Sequence, residues 1–87
     1  MKTKMIPIGN IDQEPIRIHS TEELGAVLKI RRKKQKMTQS DLAALAGTGV
    51  RYIVDLEKGK QTARIGPAFK LVEWLGLEIT IREKRSG

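Results

Sequence analysis

The residues able to carry chemistry in this sequence are few, and they suit binding better than catalysis. His19 is the single histidine and the chain has no cysteine, so neither a histidine-based catalytic set nor a zinc site can be assembled. Gly47-Thr48-Gly49 follows a predicted helix, not a strand, and lacks the Lys-Ser/Thr pair of a phosphate-binding loop. We therefore expect no enzymatic activity, no cofactor and no metal.

Three side chains near residue 50 are of the types that recognise base-pair edges in DNA. Arg51 can bond a guanine bidentately, Val50 can contact a thymine methyl group, and Asp55 can accept a hydrogen bond from cytosine. A carboxylate close to phosphates more often repels them, however. Because Arg51 is the one strong base-recognising type among the three side chains, direct readout by a DNA-bound form of this segment would be sparse, and specificity would depend partly on DNA shape.

The charge balance also favours an anionic partner. Seventeen Lys and Arg residues against ten Asp and Glu give a formal net charge of +7, which attracts polyanions without proving that the protein binds one. The aromatic residues lie far apart in sequence, unlike the stacking surface of many single-strand and RNA binders. Duplex DNA is therefore the expected nucleic acid. Because neither an apolar run of about 18 residues nor a signal-peptide pattern occurs, we expect a cytoplasmic, nucleoid-associated protein without membrane contact.

Local signals divide the chain into three parts. Residues 1–19 form an extension with two prolines, in which 16–18, and more weakly 6–8, alternate like short strands. Residues 20–76 are predicted to form a helical DNA-binding domain. Residues 77–87 begin with the alternating segment LEITIR, which predicts a strand, and end in a charged tail. The expected fold class is mostly α.

Four helices are predicted within residues 20–76. Ser20 and Glu23 have the capping-box spacing, so a first helix begins near Ser20 and ends in the basic run KIRRKK. Thr38 caps a second, short helix, and a fourth begins near Pro67 and ends at Gly76. The predicted buried stripes of helices two, three and four are Leu42, Ala43 and Ala46; Ile53 and Leu56; and Ala68, Leu71, Val72 and Leu75.

The segment AGTGVRY at residues 46–52 breaks one helix and starts the next at once. Gly47 suits the left-handed residue that terminates a helix, and Gly49 is tolerated as the N-cap of a third helix over residues 50–58. A turn this short makes the two helices cross steeply, and this arrangement is a helix-turn-helix.

Residues 38–60, TQSDLAALAGTGVRYIVDLEKGK, resemble the helix-turn-helix of the Cro/repressor (Xre) family. The matching features are Thr-Gln opening helix two, Gly at the turn, Ile in helix three and Leu-Glu-x-Gly-Lys closing it. Over residues 17–82, the stretches RIHSTEELGAVLKIRRK, KQTARIG and LVEWLGLEITI resemble its HipB-like antitoxin branch. The resemblance implies a repressor-like domain of four to five helices followed by one C-terminal strand. It also implies a dimeric autorepressor that binds operator DNA and a HipA-type serine/threonine kinase toxin.

Positions carried over from the resemblance predict the DNA-contacting surface. It comprises the start of helix two, the front of helix three and the following loop: Thr38, Gln39, Ser40, Thr48, Gly49, Val50, Arg51, Tyr52, Asp55, Lys58, Lys60 and Arg64. Gln39 would bond a phosphate, and Tyr52, Lys58, Lys60 and Arg64 would contact the DNA backbone. Gly49 departs from the family pattern, where Ser or Thr is usual. Arg32 and Glu57 align with a partly buried ion pair.

An isolated strand is not stable in water, so the C-terminal strand needs a partner. That partner is the segment 16–18 of the same chain, the same strand of a second subunit, or both; we favour the second subunit. The predicted dimer interface is Trp74, Leu77, Ile79 and Ile81. Trp74 alternatively covers the edge of the core.

Two surface features and the function itself each allow more than one interpretation. The basic run KIRRKK is either a solvated helix end or a contact for flanking DNA or an acidic partner. Leu45 is either an ordinary exposed leucine or a protein contact. The chain is either an antitoxin, a stand-alone Xre-type regulator, or chiefly a module that holds a kinase-like toxin. Of these functions we favour the dimeric repressor and antitoxin of the HipB type.

Overall fold

The computed structural model describes residues 15–85 and places four α-helices in them. They are α1 (Thr21–Lys34), α2 (Gln39–Ala46), α3 (Val50–Glu57) and α4 (Ile65–Trp74). The mostly helical, repressor-like fold is confirmed. The predicted start of the fourth helix was wrong by two residues: Pro67 is its third residue. A first-turn position still accepts proline, because the N–H groups there have no acceptor within the helix.

Side-chain caps determine where the first two helices begin. Ser20 Oγ accepts a hydrogen bond from the Glu23 N–H at 3.0 Å, while the Glu23 carboxylate accepts from the His19 N–H, one residue earlier than in a regular capping box. At α2, Thr38 and Asp41 form the complete box, with both hydrogen bonds at 2.9 Å. The hydrogen bond from the Thr38 N–H to the Asp41 carboxylate, and to a lesser degree the Thr38 side chain, lowers the pKa of Asp41.

The hydrophobic core lies between all four helices. Its buried residues are Leu28, Leu42, Ala43, Ala46, Ile53, Leu56, Ala68, Leu71, Val72 and Leu75. The stripes predicted for helices two, three and four are therefore confirmed. Because α3 contributes only Ile53 and Leu56 to this core, its opposite side is left available for another role.

Residues 77–85 follow α4 outside any helix. Leu77 packs against the core, whereas Ile79 and Ile81 are exposed, Ile81 to 94%. Within residues 15–85 no ladder joins residues 16–18 to residues 77–82, so pairing inside the chain is not observed and the C-terminal strand stays a prediction. The proposed segment at residues 6–8 lies outside the described residues. None of the helices in this part of the chain has the length and hydrophobicity to cross a membrane.

Candidate nucleic-acid interface

Two glycines with different roles form the turn between α2 and α3. Gly47 has φ 71° and ψ 34°, the left-handed conformation expected of it, and the Thr48 N–H closes the helix end by donating to the Ala43 carbonyl at 3.0 Å. Gly49 has ordinary extended angles and makes no side-chain cap. A Cβ at Gly49 would meet nothing within 4 Å, so its backbone does not require glycine. The cap that Ser or Thr would supply is simply missing.

The side of α3 that faces away from the core begins with Val50 and Arg51. Val50 is 41% exposed, and the Arg51 side chain is 80% exposed. Ile53 and Leu56 hold the opposite side of the helix in the core. The helix therefore presents its N-terminal residues to solvent, as a helix that enters a major groove must do.

Asp55, one turn further along α3, is held between two cations. Its Oδ1 lies 3.4 Å from Arg51 Nε, and its Oδ2 lies 3.5 Å from Lys60 Nζ. The Asp55 side chain is only 19% exposed. The carboxylate is thus neutralised locally, and the repulsion expected between it and phosphates is reduced.

Tyr52 is tied to the loop that precedes α4. Its hydroxyl donates a hydrogen bond to the Arg64 carbonyl, and burial raises the pKa of Tyr52. The Tyr52 hydroxyl therefore already donates its hydrogen bond within the chain. It could donate to a DNA phosphate only if this bond broke. Sequence reasoning assigned Tyr52 to the DNA backbone and missed this contact, because it depends on how the loop packs.

At the start of α2, Gln39 joins a buried ion pair. Arg32 and Glu57 form a bidentate contact, with Nε–Oε2 at 2.6 Å and Nη2–Oε1 at 3.1 Å, and their side chains are 7% and 4% exposed. Gln39 Nε2 donates to the same Glu57 Oε1 at 3.0 Å. The first residue of α2 is thus fixed relative to α1 and α3, and one amide hydrogen of Gln39 is left for another acceptor.

The remaining predicted DNA contacts are exposed or half-buried at the same elements. Ser40 and the cap Thr38 are exposed at the start of α2, and Thr48 is half-buried in the turn. The cations after α3 are all exposed: Lys58, Lys60 and Arg64. Whether any of these residues contacts DNA stays a prediction.

The predicted dimer residues are solvent-accessible to different degrees. Trp74 is 52% exposed at the end of α4, so about half of the residue stays accessible to solvent and only the rest covers the edge of the core. Leu45, which was interpreted as either an ordinary exposed leucine or a protein contact, is also exposed.

The basic run KIRRKK is not a uniformly solvated helix end. Arg32 is buried in its ion pair, and Arg31 Nε donates to the Leu75 carbonyl at 2.8 Å. Gln35 donates to the same carbonyl at 3.0 Å. Two of the six residues therefore hold α1 to α3 and α4. The expectation of a solvated helix end was wrong for Arg31, whereas Arg32 lies in the ion pair with Glu57 that the resemblance implies.

Gly25 is a structural residue that sequence reasoning missed. A Cβ at this position would lie 2.4 Å from the Leu56 carbonyl oxygen and 2.6 Å from that of Glu57. Only glycine allows α1 to cross α3 this closely. The available signal was an isolated glycine within a helical pattern, which often marks a close packing contact.

No group of three or more acidic or histidine side chains in the described residues is arranged to hold a metal ion. The charged side chains around α3 are mostly cationic, and their acidic members are paired. What the arrangement offers is an exposed helix start flanked by exposed cations.

Comparisons with known proteins agree with this geometry. A family model described as "Helix-turn-helix" matches residues 28–81, more than half of the chain. The chain is 46% identical over 65 residues to the "Uncharacterized HTH-type transcriptional regulator y4mF" of Sinorhizobium fredii (strain NBRC 101917 / NGR234), which covers 75% of this chain and 86% of that protein.

Two solved structures are similar in fold over most of the chain. They are titled "HipB-O4 20mer complex" and "Structure of HipA-HipB-O2-O3 complex". Each has a TM-score of 0.73 and 26% sequence identity, and each match covers 80% of this chain and 99% of the other.

Proposed function

The chain belongs to the Xre type of helix-turn-helix transcriptional regulators, and from this we propose that it is a sequence-specific repressor and the antitoxin of a HipA-type toxin–antitoxin pair. As a dimer it binds an inverted-repeat operator in duplex DNA, and it neutralises a kinase toxin. The observation that carries the DNA-binding part is the exposed N-terminal end of α3, with Arg51 foremost.

The contacts around α3 support the proposal that some residues contact bases of the operator and others contact its phosphates. Arg51 supplies the one strong base contact, to guanine, and Val50 meets a thymine methyl group. The exposed cations Lys58, Lys60 and Arg64 contact phosphates, which supply affinity without sequence information. Gln39 offers its remaining amide hydrogen to a phosphate at the start of α2. Glu57 orients that amide.

Operator binding requires two copies of α3 related by a two-fold axis. The helices must lie about 34–36 Å apart to enter successive major grooves. The exposed apolar residues after α4, Ile79 and Ile81, together with Trp74, provide the surface through which a second subunit sets this spacing.

The antitoxin role is supported by the likeness of the fold to that of the HipA-HipB-O2-O3 complex. The alternative, a stand-alone regulator, is supported by the y4mF relative, whose name mentions transcription alone. A third possibility, a module that mainly holds a toxin, differs from both because DNA binding would be subsidiary.

Binding of the purified protein to a duplex from its own promoter tests the DNA-binding part. At physiological salt we expect the promoter to be bound at least about 10³-fold more tightly than a shuffled duplex of equal length, as is typical of specific sites. Equal affinity for the two duplexes would reject sequence-specific repression.

Co-purification with the product of the neighbouring gene tests the antitoxin part. We expect a kinase-like neighbour to form a stable complex with the protein and to lose kinase activity in it. A protein that binds its promoter but neither binds nor inhibits its neighbour is a stand-alone regulator.

A further inference from the structure

Asp55 lies in the middle of the recognition helix α3, where a carboxylate would ordinarily oppose DNA. We infer that Asp55 is a positioning residue: it holds the Arg51 guanidinium in the orientation that a guanine requires and does not itself contact a base. This inference rests on the proposed DNA-binding function and adds a specificity determinant to it.

The burial of Asp55 argues against direct contact with cytosine. Its side chain is 19% exposed, whereas that of Arg51 is 80% exposed. Each carboxylate oxygen already faces a cation, Oδ1 toward Arg51 Nε and Oδ2 toward Lys60 Nζ. A cytosine amino group would have to displace one of these cations to reach an acceptor.

The atoms involved explain how Asp55 can orient Arg51. The carboxylate lies closest to Nε, which leaves the terminal nitrogens of the guanidinium available. Bidentate contact with guanine O6 and N7 needs two donors of the planar group. A guanidinium held at Nε still has two donors for the guanine. It has already lost part of its side-chain freedom in the unbound protein, so DNA binding costs less conformational entropy.

The contact between Arg51 and Asp55 forms within α3 itself. Residues 51 and 55 are four apart, so their side chains are neighbours on one side of α3. In water the pair is weak because its arginine is exposed, but it strengthens when a groove excludes water from it. Lys60 adds a second positive charge, so the three side chains together carry a net charge of +1 toward the DNA.

Selection from a randomised duplex library, followed by affinity measurements on the selected duplex and its single-position variants, tests the inference. The proteins are wild type, Asp55→Ala, Asp55→Asn, Arg51→Ala and the double variant Arg51→Ala/Asp55→Ala. The preference is measured at every base pair of the motif, and the position of interest is the one at which Arg51→Ala weakens it most.

At that base pair we expect Asp55→Ala to reduce the preference by about 10-fold, and Asp55→Asn, which keeps an acceptor oxygen, to reduce it less. In the Arg51→Ala background, Asp55→Ala should have no further effect on the base preference, because Asp55 acts through Arg51.

The affinity of Asp55→Ala for random duplex should stay equal or rise, since a negative charge is removed. Lys58→Ala is the matched control: it should lower affinity for all sequences alike.

Two results would overturn the inference. If Asp55→Ala weakens the preference at a different base pair, and does so equally with and without Arg51, Asp55 contacts a base directly. An unchanged preference in Asp55→Ala would mean that Arg51 needs no positioning. Failure of the proposed function looks different: the wild-type protein itself would then select no motif from the library.

Discussion

Glu57 accepts hydrogen bonds from Arg32 and Gln39, and its side chain is only 4% exposed. We predict that Arg32→Ala lowers the free energy of unfolding by about 3–5 kcal/mol, because the Glu57 carboxylate is left buried without its charge partner. Urea denaturation measures this loss. The double variant Arg32→Met/Glu57→Leu should be more stable than Arg32→Ala, since it leaves no buried charge unpaired. A loss below about 1 kcal/mol in Arg32→Ala would show that the pair is dispensable.

Asp41 provides a pH-dependent contribution at the start of α2. Hydrogen bonds from Thr38 lower its pKa from 3.8, so the folded state favours the ionised form. The stabilisation is therefore present above the unfolded-state pKa and is lost as the pH falls through the lower folded-state pKa. We expect Asp41→Asn to be less stable than wild type near neutral pH and to converge with it at acidic pH. Thermal denaturation across this range measures the difference, and a constant difference at every pH would contradict the prediction.

The crossing of α1 over α3 sets the orientation of the recognition helix. It depends on Gly25, where a Cβ would lie 2.4 Å from the Leu56 carbonyl oxygen. We predict that Gly25→Ala lowers the free energy of unfolding by about 1–3 kcal/mol, because backbone atoms must shift to admit the methyl group. Operator affinity should fall with it.

Gly66 in the first turn of α4 is the matched control for that experiment. A Cβ there meets nothing within 4 Å, so Gly66→Ala should be neutral or stabilise by up to about 1 kcal/mol through helix propensity. Chemical denaturation of the two variants compares them directly. Equal effects would show that close packing at Gly25 is not what requires glycine.

Association of two chains is the first property of the whole molecule to test. We predict that deletion of residues 77–87 gives a weakly associating and weakly DNA-binding protein, because the exposed Ile79 and Ile81 and the predicted intersubunit strand are removed. Analytical ultracentrifugation measures the oligomeric state. A truncated protein that stays fully dimeric would show that this segment does not join the subunits.

Salt dependence reports how many phosphates the dimer neutralises. With the three exposed cations Lys58, Lys60 and Arg64 in each subunit, six phosphate contacts predict a slope of about −5 when log affinity is plotted against log salt concentration. Lys58→Ala should make the slope shallower by about 2 in the dimer. A slope close to zero would rule out phosphate contacts by these residues.

Local chemistry in the sequence was enough to predict most of the scaffold. Capping by Ser20 and Thr38, the left-handed Gly47 and the apolar spacing of each helix act over a few residues, so they can be recognised without knowledge of the fold. They located α1, α2 and α3 and the turn that exposes Arg51. The start of α4 was misplaced because Pro67 is compatible with any of the first helical positions.

The tertiary structure decided which polar groups already have a hydrogen-bond or ion-pair partner within the chain. Nothing in their spacing reveals that the Tyr52 hydroxyl meets the Arg64 backbone carbonyl or that the Asp55 and Lys60 side chains meet. Both contacts depend on how the loop after α3 folds back. The same is true of Gly25, whose need for glycine arises from a helix distant in sequence. Hydrogen bonds between near neighbours are encoded locally, whereas contacts between elements exist only once the core has fixed their crossing angles.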